Sequence, residues 1–420
     1  MPGTWAAFLE AVDAEIDLKD PDIYTSGAFH RILTNLRAKE PIYWNPEADS
    51  TGFWAITRYD DVLRVVQDPE TFSADIKNGG VRIFNKHDVN SDPKPHLLAM
   101  DPPQHTQLRR VVQPLFAPAA IAAAEARIRD RMSRLINAIV AAGKAEFVTS
   151  IAAPLTTGFL TDLLGVPESD WPLLFKWSNA FIGDDDSDYQ ATPGVRLQAL
   201  DDMDAYAAQL LSERRGSPGH DFVSLIAAAR INGEPLDFDA ISENLGAFLI
   251  GGNETTRHTI SAGILALSLF PKQKERLLAD RSLMASAVKE ITRWASPIMH
   301  VRRTAMKDVE IGGRLIRKSD KVVVWYNSAN RDEAKWPDPF DFDVGRFTDR
   351  GATAHIAFGS GPHHCLGWRA AELQIRVALE ELLNRLPDFR VTEPARILRS
   401  NLISGIKELN IAFTPEPGKP

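Results

Sequence analysis

One cysteine stands in the 420-residue chain, Cys365, within the run Phe358-Gly359-Ser360-Gly361-Pro362-His363-His364-Cys365-Leu366-Gly367. A lone thiol cannot close an internal disulfide, and it cannot build a four-cysteine zinc or iron–sulfur centre. Three chemistries stay open for it: an inert buried side chain, a catalytic nucleophile, or one thiolate ligand to a metal. The neighbours favour the ligand. Gly359, Gly361 and Gly367 let backbone amides come close to a sulfur and donate hydrogen bonds to its negative charge. Apolar residues then recur at helical spacing from Trp368 to Leu383 (Ala371, Ile375, Leu379, Leu382). Cys365 therefore falls at or just before a helix N-terminus, whose dipole lowers a thiol pKa. A Cys–His nucleophile also needs a third orienting group, and the sequence offers none.

A second constellation lies in the apolar-periodic segment Phe238 to Phe270, ended by Pro271. As one helix it spans roughly 45 Å, enough to cross a domain. Its centre reads Ala247-Phe248-Leu249-Ile250-Gly251-Gly252-Asn253-Glu254-Thr255-Thr256. Two adjacent glycines weaken a helix by about 1 kcal/mol each relative to alanine, and an acid–alcohol pair beside them breaks the apolar pattern. Local rules broken in one place point to a functional site. On this segment alone, a kinked core helix with threonine hydroxyls bonded back to their own carbonyls explains it equally well. A third pattern, Glu290-x-x-Arg293, shares a helix with Ala287, Ile291 and Ala295. It is weak by itself, since ion pairs three residues apart are common. Glu393-Pro394-Ala395-Arg396 also matches, though its proline argues against a helix.

Taken together these runs resemble the cytochrome P450 family, the haem-thiolate monooxygenases. Phe358, Gly359, Gly361, His363, Cys365 and Gly367 fill every fixed position of its haem-binding pattern Phe-Gly-x-Gly-x-His-x-Cys-x-Gly. The resemblance implies haem b with Cys365 as the axial thiolate, Phe358 packed near the sulfur, and His363 on a haem propionate. Gly251, Gly252, Glu254 and Thr255 are similar to the family's oxygen-activation motif. There the glycines leave room for dioxygen, the acid and alcohol relay protons, and the thiolate favours O–O cleavage; Thr256 becomes a packing residue. Glu290 and Arg293 become a structural pair serving haem retention, with Arg346 of Asp343-Val344-Gly345-Arg346-Phe347 as third member. His105 and Arg109, four apart after Asp101-Pro102-Pro103-Gln104, and Arg303 become propionate partners. The resemblance runs over nearly the whole chain; only the first forty residues and Ser73 to Met100 carry no family motif.

The elements that must position these residues are mainly helices. Helical periodicity dominates from Thr106 to Leu269, and Tyr59 to Val66 also reads as helix. Ile42 to Trp44 and Phe53 to Ile56 read as short strands, as does Lys321 to Tyr326. Val309 to Ile311 and Arg314 to Ile316 flank Gly312-Gly313, a hairpin signal. Ser73 to Met100, with Gly79, Gly80, Pro93 and Pro95, reads as a long loop. No linker, repeat or low-complexity block divides the chain, so residues 1–420 are expected to form one mainly α domain with small β-sheets, the P450 fold with a long central helix over haem.

The charge balance of 48 basic against 56 acidic residues, −8 net, argues against general nucleic-acid binding. Scarce cysteine suits a reducing, cytoplasmic setting. Met1 to Leu18 carries Glu10, Asp13, Glu15 and Asp17 and so has neither a signal-peptide core nor a membrane anchor; the resemblance is to the bacterial branch without such an anchor. It implies oxygen insertion into a hydrophobic molecule, with electrons from NAD(P)H. No flavin, ferredoxin or Rossmann motif is present, so a ferredoxin and its reductase are the expected partners. Their docking face is expected around Cys365, with Arg109, Arg110, His364 and Arg369. The pocket is expected to draw on Ala247, Phe248, Ile250 and Gly251, on Ile298 and Met299, on Leu402 and Ile403, and on parts of Val81 to Leu98. The segment Ser296 to Asp332 is similar to that of bacterial enzymes acting on alkanes, fatty acids, terpenes and sterols. A tailoring oxidase of secondary metabolism, acting on a macrolide, peptide or carrier-bound substrate, is the alternative. A haem sensor has no need of the acid–alcohol pair, and adjacent His-His-Cys residues do not converge on one zinc ion. Asp184 to Asp188 reads as a solvated loop.

Overall fold

Helical periodicity is realised almost wherever the sequence carries it. The computed structural model describes residues 16–416 other than 49, 84–95, 184, 191, 193, 215–218 and 350. The helices that bear on function are α1 (Tyr59–Gln67), α2 (Gln104–Val112), α3 (Pro118–Ile139), α4 (Ala153–Leu164), α5 (Trp171–Ile182), α6 (Val195–Arg214), α7 (Phe238–Leu269), α8 (Met284–Ala295) and α9 (Trp368–Arg385). Asp237 caps the start of α7, its carboxylate accepting from the Ala240 amide, and Phe270-Pro271 ends it after 32 residues. The helix is continuous through Gly251-Gly252.

Two cores meet on α7. Ile260, Ile264 and Leu267 from its C-terminal half pack with residues of α3, α8 and α9. From its N-terminal half, Ile241, Leu245 and Leu249 pack with residues of α5 and α6. Apolar burial of this kind contributes about 1.5–3 kcal/mol per large side chain, so each half of α7 is held by its own core. The segment Gly251 to Thr255 lies between the two anchored halves.

The strands form small sheets. The main one contains β1 (Ile42–Glu47), β2 (Ser50–Ile56), β3 (Phe72–Ser73), β4 (His300–Ala305) and β7 (Lys321–Trp325), in the order β1-β2-β7-β4-β3, with β7 parallel to β2 and the other pairs antiparallel. Between β4 and β7 comes the hairpin β5 (Val309–Ile311) and β6 (Arg314–Ile316). Its turn needs two left-handed residues, supplied by Gly312 at φ 54° and Gly313 at φ 77°. A further pair, β8 (Arg396–Ile397) and β9 (Ile406–Glu408), frames the turn that carries Leu402 and Ile403. Tyr326 departs from the expected strand and opens a short helical turn, Tyr326–Ala329. Among the described residues, no single helix is long and apolar enough to cross a membrane. The reading of Met1 to Leu18 as anchor-free falls mostly outside the described residues.

Candidate active site

The Cys365 loop is shaped by its glycines. Gly359 and Gly361 adopt left-handed backbone at φ 67° and 69°, conformations open to glycine at little strain. A Cβ on Gly361 would meet the Val66 carbonyl oxygen at 2.5 Å, so only glycine lets the loop lie against the end of α1. The turn closes with the Cys365 amide donating to the Phe358 carbonyl at 2.8 Å. Gly367 is the N-cap of α9, and its backbone N–H reaches the Cys365 sulfur. Burial pushes the Cys365 thiol pKa up, opposed by that N–H and by Arg109. The helix N-terminus thus lowers this thiol as expected, but burial outweighs it. The adjoining Leu366 packs against both cores, as does Phe248 of α7.

Beside the loop four cationic or hydrogen-bonding side chains converge from three elements. The rings of His105 (α2) and His363 lie 4.2 Å apart. Arg109 donates from Nη2 to the His364 carbonyl at 2.7 Å. Arg303 of β4 donates from Nη1 to the Arg302 carbonyl at 2.8 Å and is buried. Burial, followed by repulsion from Arg303, His105 and Arg109, pushes the His363 pKa down to about 2. Burial, followed by Arg109, takes His105 to about 4. Asp101 acts electrostatically on both His105 and Arg303. Among the described residues, the buried Nε2 of His363 has no hydrogen-bond partner. Like charges packed together with a buried orphan atom are poor stability but a good cradle for an anion. Two carboxylates beside a thiolate ligand, the polar edge of a haem, fit that donor set.

The open face of α7 completes the arrangement. A Cβ built on Gly251 meets no atom within 4 Å, whereas one on Gly252 meets Leu160 Cδ1 of α4 at 3.1 Å. Gly251 therefore leaves room, and Gly252 serves packing against α4 rather than space over a ligand. Ala247, Gly251 and Thr255 lie four apart on the partly exposed stripe of the helix. The Thr255 hydroxyl donates back to the Gly251 carbonyl at 3.1 Å. Thr256 is buried.

Glu290 and Arg293 of α8 are fully buried and doubly bonded, Nε to Oε2 at 2.7 Å and Nη2 to Oε1 at 2.8 Å. Arg346 adds its Nε to Glu290 Oε1 at 3.2 Å. Both arginines spend their remaining N–H groups on carbonyls, Arg293 on Asn330 and Pro339, Arg346 on Pro337 and Asp341. Glu393 and Arg396, the competing match, do not pair; Arg396 bridges Asp188 and Glu408.

The chain matches the family model "Cytochrome P450" over residues 160–402. It is 42% identical to linalool 8-monooxygenase of Pseudomonas putida over 95% of this chain and 99% of that protein. The chain belongs to the cytochrome P450 family. It is also 36% identical to a methyl-branched lipid omega-hydroxylase of Mycobacterium tuberculosis, over 96% of this chain and 95% of that one. Among solved structures, a Mycobacterium marinum cytochrome P450 in complex with pseudoionone superposes with a TM-score of 0.88 at 33% identity, covering 96% of this chain and all of that one. The protein is thus a P450 monooxygenase with the P450 fold.

Within this P450 the expected pocket residues separate. Ile250, Ile298, Leu402 and Ile403 come together with Ile182, Leu398 and Tyr189 in one apolar group. Ile298 and Ile403 are joined by an antiparallel bridge. Phe248 instead stacks on Phe222 at 3.9 Å and meets Phe116 edge-on at 5.8 Å, because it lies 200° around the helix from Ile250 at about 100° per residue. Met299 is buried with Trp325, Phe53 and Ile83, since extended backbone turns successive side chains to opposite sides. Neither joins the Ile250 group. Of Val81 to Leu98, residues 84–95 lie outside the described residues.

Sequence reasoning missed a polar cluster behind α7. The Glu254 carboxylate is fully buried and faces α5. Its Oε1 accepts from Ser178 Oγ at 2.6 Å and Asn253 Nδ2 at 3.0 Å. Its Oε2 pairs with Arg257 and lies 3.2 Å from His258 Nε2. Burial would raise this carboxyl, but Arg257, His258 and Ser178 together hold it below the usual range. Asn253 also accepts from Thr156 and Thr157 of α4, each at 2.8 Å. Asn253, Arg257 and His258, three further polar residues in an apolar helix, were the available signal.

Proposed function

We propose that this P450 hydroxylates a small, flexible hydrophobic molecule of terpenoid or branched-lipid type, using haem b held by Cys365 and cradled by His105, Arg109, Arg303 and His363. The observation that carries the substrate class is the apolar group in which Ile250, Ile298 and Leu402 are partly exposed over the buried Leu398 and Ile403. The relatives named for linalool and for methyl-branched lipids act on molecules of that character, and pseudoionone in the M. marinum structure is another. When bound, the haem supplies dioxygen activation on a thiolate-ligated iron.

The chain's own residues do the rest. Gly251 keeps the helix surface low where ligands must fit, and the Ile250 group places the substrate and excludes water. Thr255 presents a hydroxyl on the open stripe, able to pass on a proton if its bond to the Gly251 carbonyl opens. Glu254 sits behind it as the buried acid, with Glu290, Arg293 and Arg346 keeping the cofactor-side loops in place. We read residues 1–420 as one domain in a cytoplasmic enzyme, receiving electrons from NAD(P)H through a ferredoxin and its reductase.

The test is a visible spectrum of purified protein. The reduced protein with carbon monoxide is expected to show the far-red-shifted Soret band of a thiolate-ligated haem, and its absence would sink the reading. Linalool, a methyl-branched fatty acid, a straight-chain fatty acid and a sterol are then titrated into the ferric protein. A shift to high spin with the first two supports the proposal. Silence from the whole panel, with haem intact, moves the substrate to larger metabolites.

A further inference from the structure

His258 lies on α7 one turn after Glu254, is 1% exposed, and touches two different parts of the site. Its Nδ1 accepts from the backbone N–H of Ile406 at 3.1 Å. A nitrogen that accepts carries no proton, so in the neutral ring the proton is on Nε2. That atom faces Glu254 Oε2 at 3.2 Å. Arg257 Nη2 also lies 3.2 Å from Nε2; two donors do not bond each other, and Glu254 Oε2 accepts from both. Burial, followed by the neighbouring Arg257, disfavours a second proton on the ring.

Ile406 ends the turn from Leu398 that supplies Leu398, Leu402 and Ile403 to the apolar group. Its other ties run to the strand side, to Asp185 and Asp186, and, through Arg399 and Asn401, to Asp22 and the Lys19 carbonyl. The Ser404 amide donates to the Pro297 carbonyl at 2.9 Å, the Met299 amide to the Leu402 carbonyl at 2.9 Å, and the Arg399 amide to Asp186 Oδ2 at 2.8 Å. The imidazole holds the turn from the α7 side. It packs so closely that a Cβ on Gly405 would sit 3.0 Å from both Cε1 and Nε2 of the ring. Gly405 is thus the residue that lets the turn settle on His258.

We propose that His258 is a positioning residue for substrate, a neutral strut that fixes the Leu398–Ile406 turn against the long helix and ties that turn to the Glu254 carboxylate. Through it, the wall that contacts substrate and the buried acid behind Thr255 share one side chain, so displacing the turn disturbs both. This rests on the apolar group being the substrate wall, as proposed above.

The experiment measures deuterium exchange of peptides covering residues 398–409 in the ferric holoenzyme, with product positions as a second readout. His258→Leu removes both contacts. His258→Asn keeps an acceptor near the position of Nδ1 and loses the reach to Glu254. Exchange of the segment is expected to speed up about fivefold in His258→Leu, the worth of one neutral hydrogen bond, and to stay at the wild-type rate in His258→Asn. Where linalool is a substrate, the leucine variant also spreads hydroxylation over more carbons. Wild-type exchange in a haem-loaded His258→Leu, or equal acceleration in both variants, overturns the proposal. Should His258→Leu fail to fold, Gly405→Ala presses on the same ring from the turn and is expected to give the same acceleration; unchanged exchange there also overturns it. Exchange is read without turnover. A wild type whose haem is intact but whose Soret band no panel compound shifts would thus sink the proposed substrate class while leaving the strut to be decided by exchange.

Discussion

Glu254 and Thr255 are neighbours in sequence but face different surroundings. The hydroxyl is on the open stripe of α7, and the carboxylate is turned to α5 and held by Ser178, Asn253, Arg257 and His258. The motif was legible as a motif; its division of labour was not, because the partners on α5 lie about seventy-five residues away in sequence. Thr255→Ala is expected to leave the carbon monoxide band and ligand affinity intact while lowering product formed per NAD(P)H consumed by up to about a hundredfold, the low end of what one proton-transfer group contributes. Unchanged yield per NAD(P)H would remove Thr255 from the chemistry. For Glu254 the sign follows from its depressed pKa. Its stabilising contribution is complete above the ordinary carboxylate value near pH 4 and is lost as pH falls through the lower folded value. Urea unfolding between about pH 3 and 7 is expected to show a flatter acid limb in Glu254→Gln, together with lower stability at neutral pH because Arg257 loses its buried partner.

At the scale of elements, periodicity was enough to find α7, α8 and α9, and two glycines were enough to place the β5–β6 turn. Tertiary ties were not readable. The stretch expected to be a solvated loop instead holds Asp186, 2% exposed, which accepts from Lys407 Nζ at 2.9 Å and from the Arg399 amide at 2.8 Å. Asp188 pairs with Arg396 and Lys407, and Arg399 with Asp22; Asp184 lies outside the described residues. This clasp binds the chain after α5 to the β8–β9 pair beside the apolar group. Lys407→Met is expected to speed both entry and release of a Soret-shifting ligand several-fold in stopped-flow, with little change in affinity. In wild type, salt near 1 M, where the Debye length is about 3 Å, is expected to act in the same direction. Rates indifferent to both changes would mean that the clasp does not gate access. On α8, removing one member of a buried, doubly bonded pair costs about 3–5 kcal/mol. Glu290→Ala is therefore expected to lower the unfolding midpoint sharply and release haem at temperatures the wild type tolerates; equal retention would contradict a structural role.

Across the whole molecule the charge is −8, yet the surface around the Cys365 loop is basic. Arg110 and Arg369 are exposed, the Arg369 guanidinium lies 4.1 Å over the Trp368 ring, and Arg109 and Arg369 both act electrostatically on His364. The basic residues were legible in the sequence; that α2 and the start of α9 flank one loop, Arg109 reaching the His364 carbonyl and Gly367 capping α9, needed the fold. A local positive patch on an acidic protein orients an acidic partner more than it binds it, so its effect belongs to the association rate and fades with ionic strength. With an acidic two-iron ferredoxin as donor, the second-order rate of haem reduction under carbon monoxide is expected to fall steeply as salt rises across the 0.05–0.5 M range, where the Debye length shrinks below about 10 Å. Arg369→Glu is expected to reduce that rate about tenfold at low salt and to match wild type at high salt, with the haem spectrum unchanged. A variant equal to wild type at low salt would move the electron-entry face away from α9.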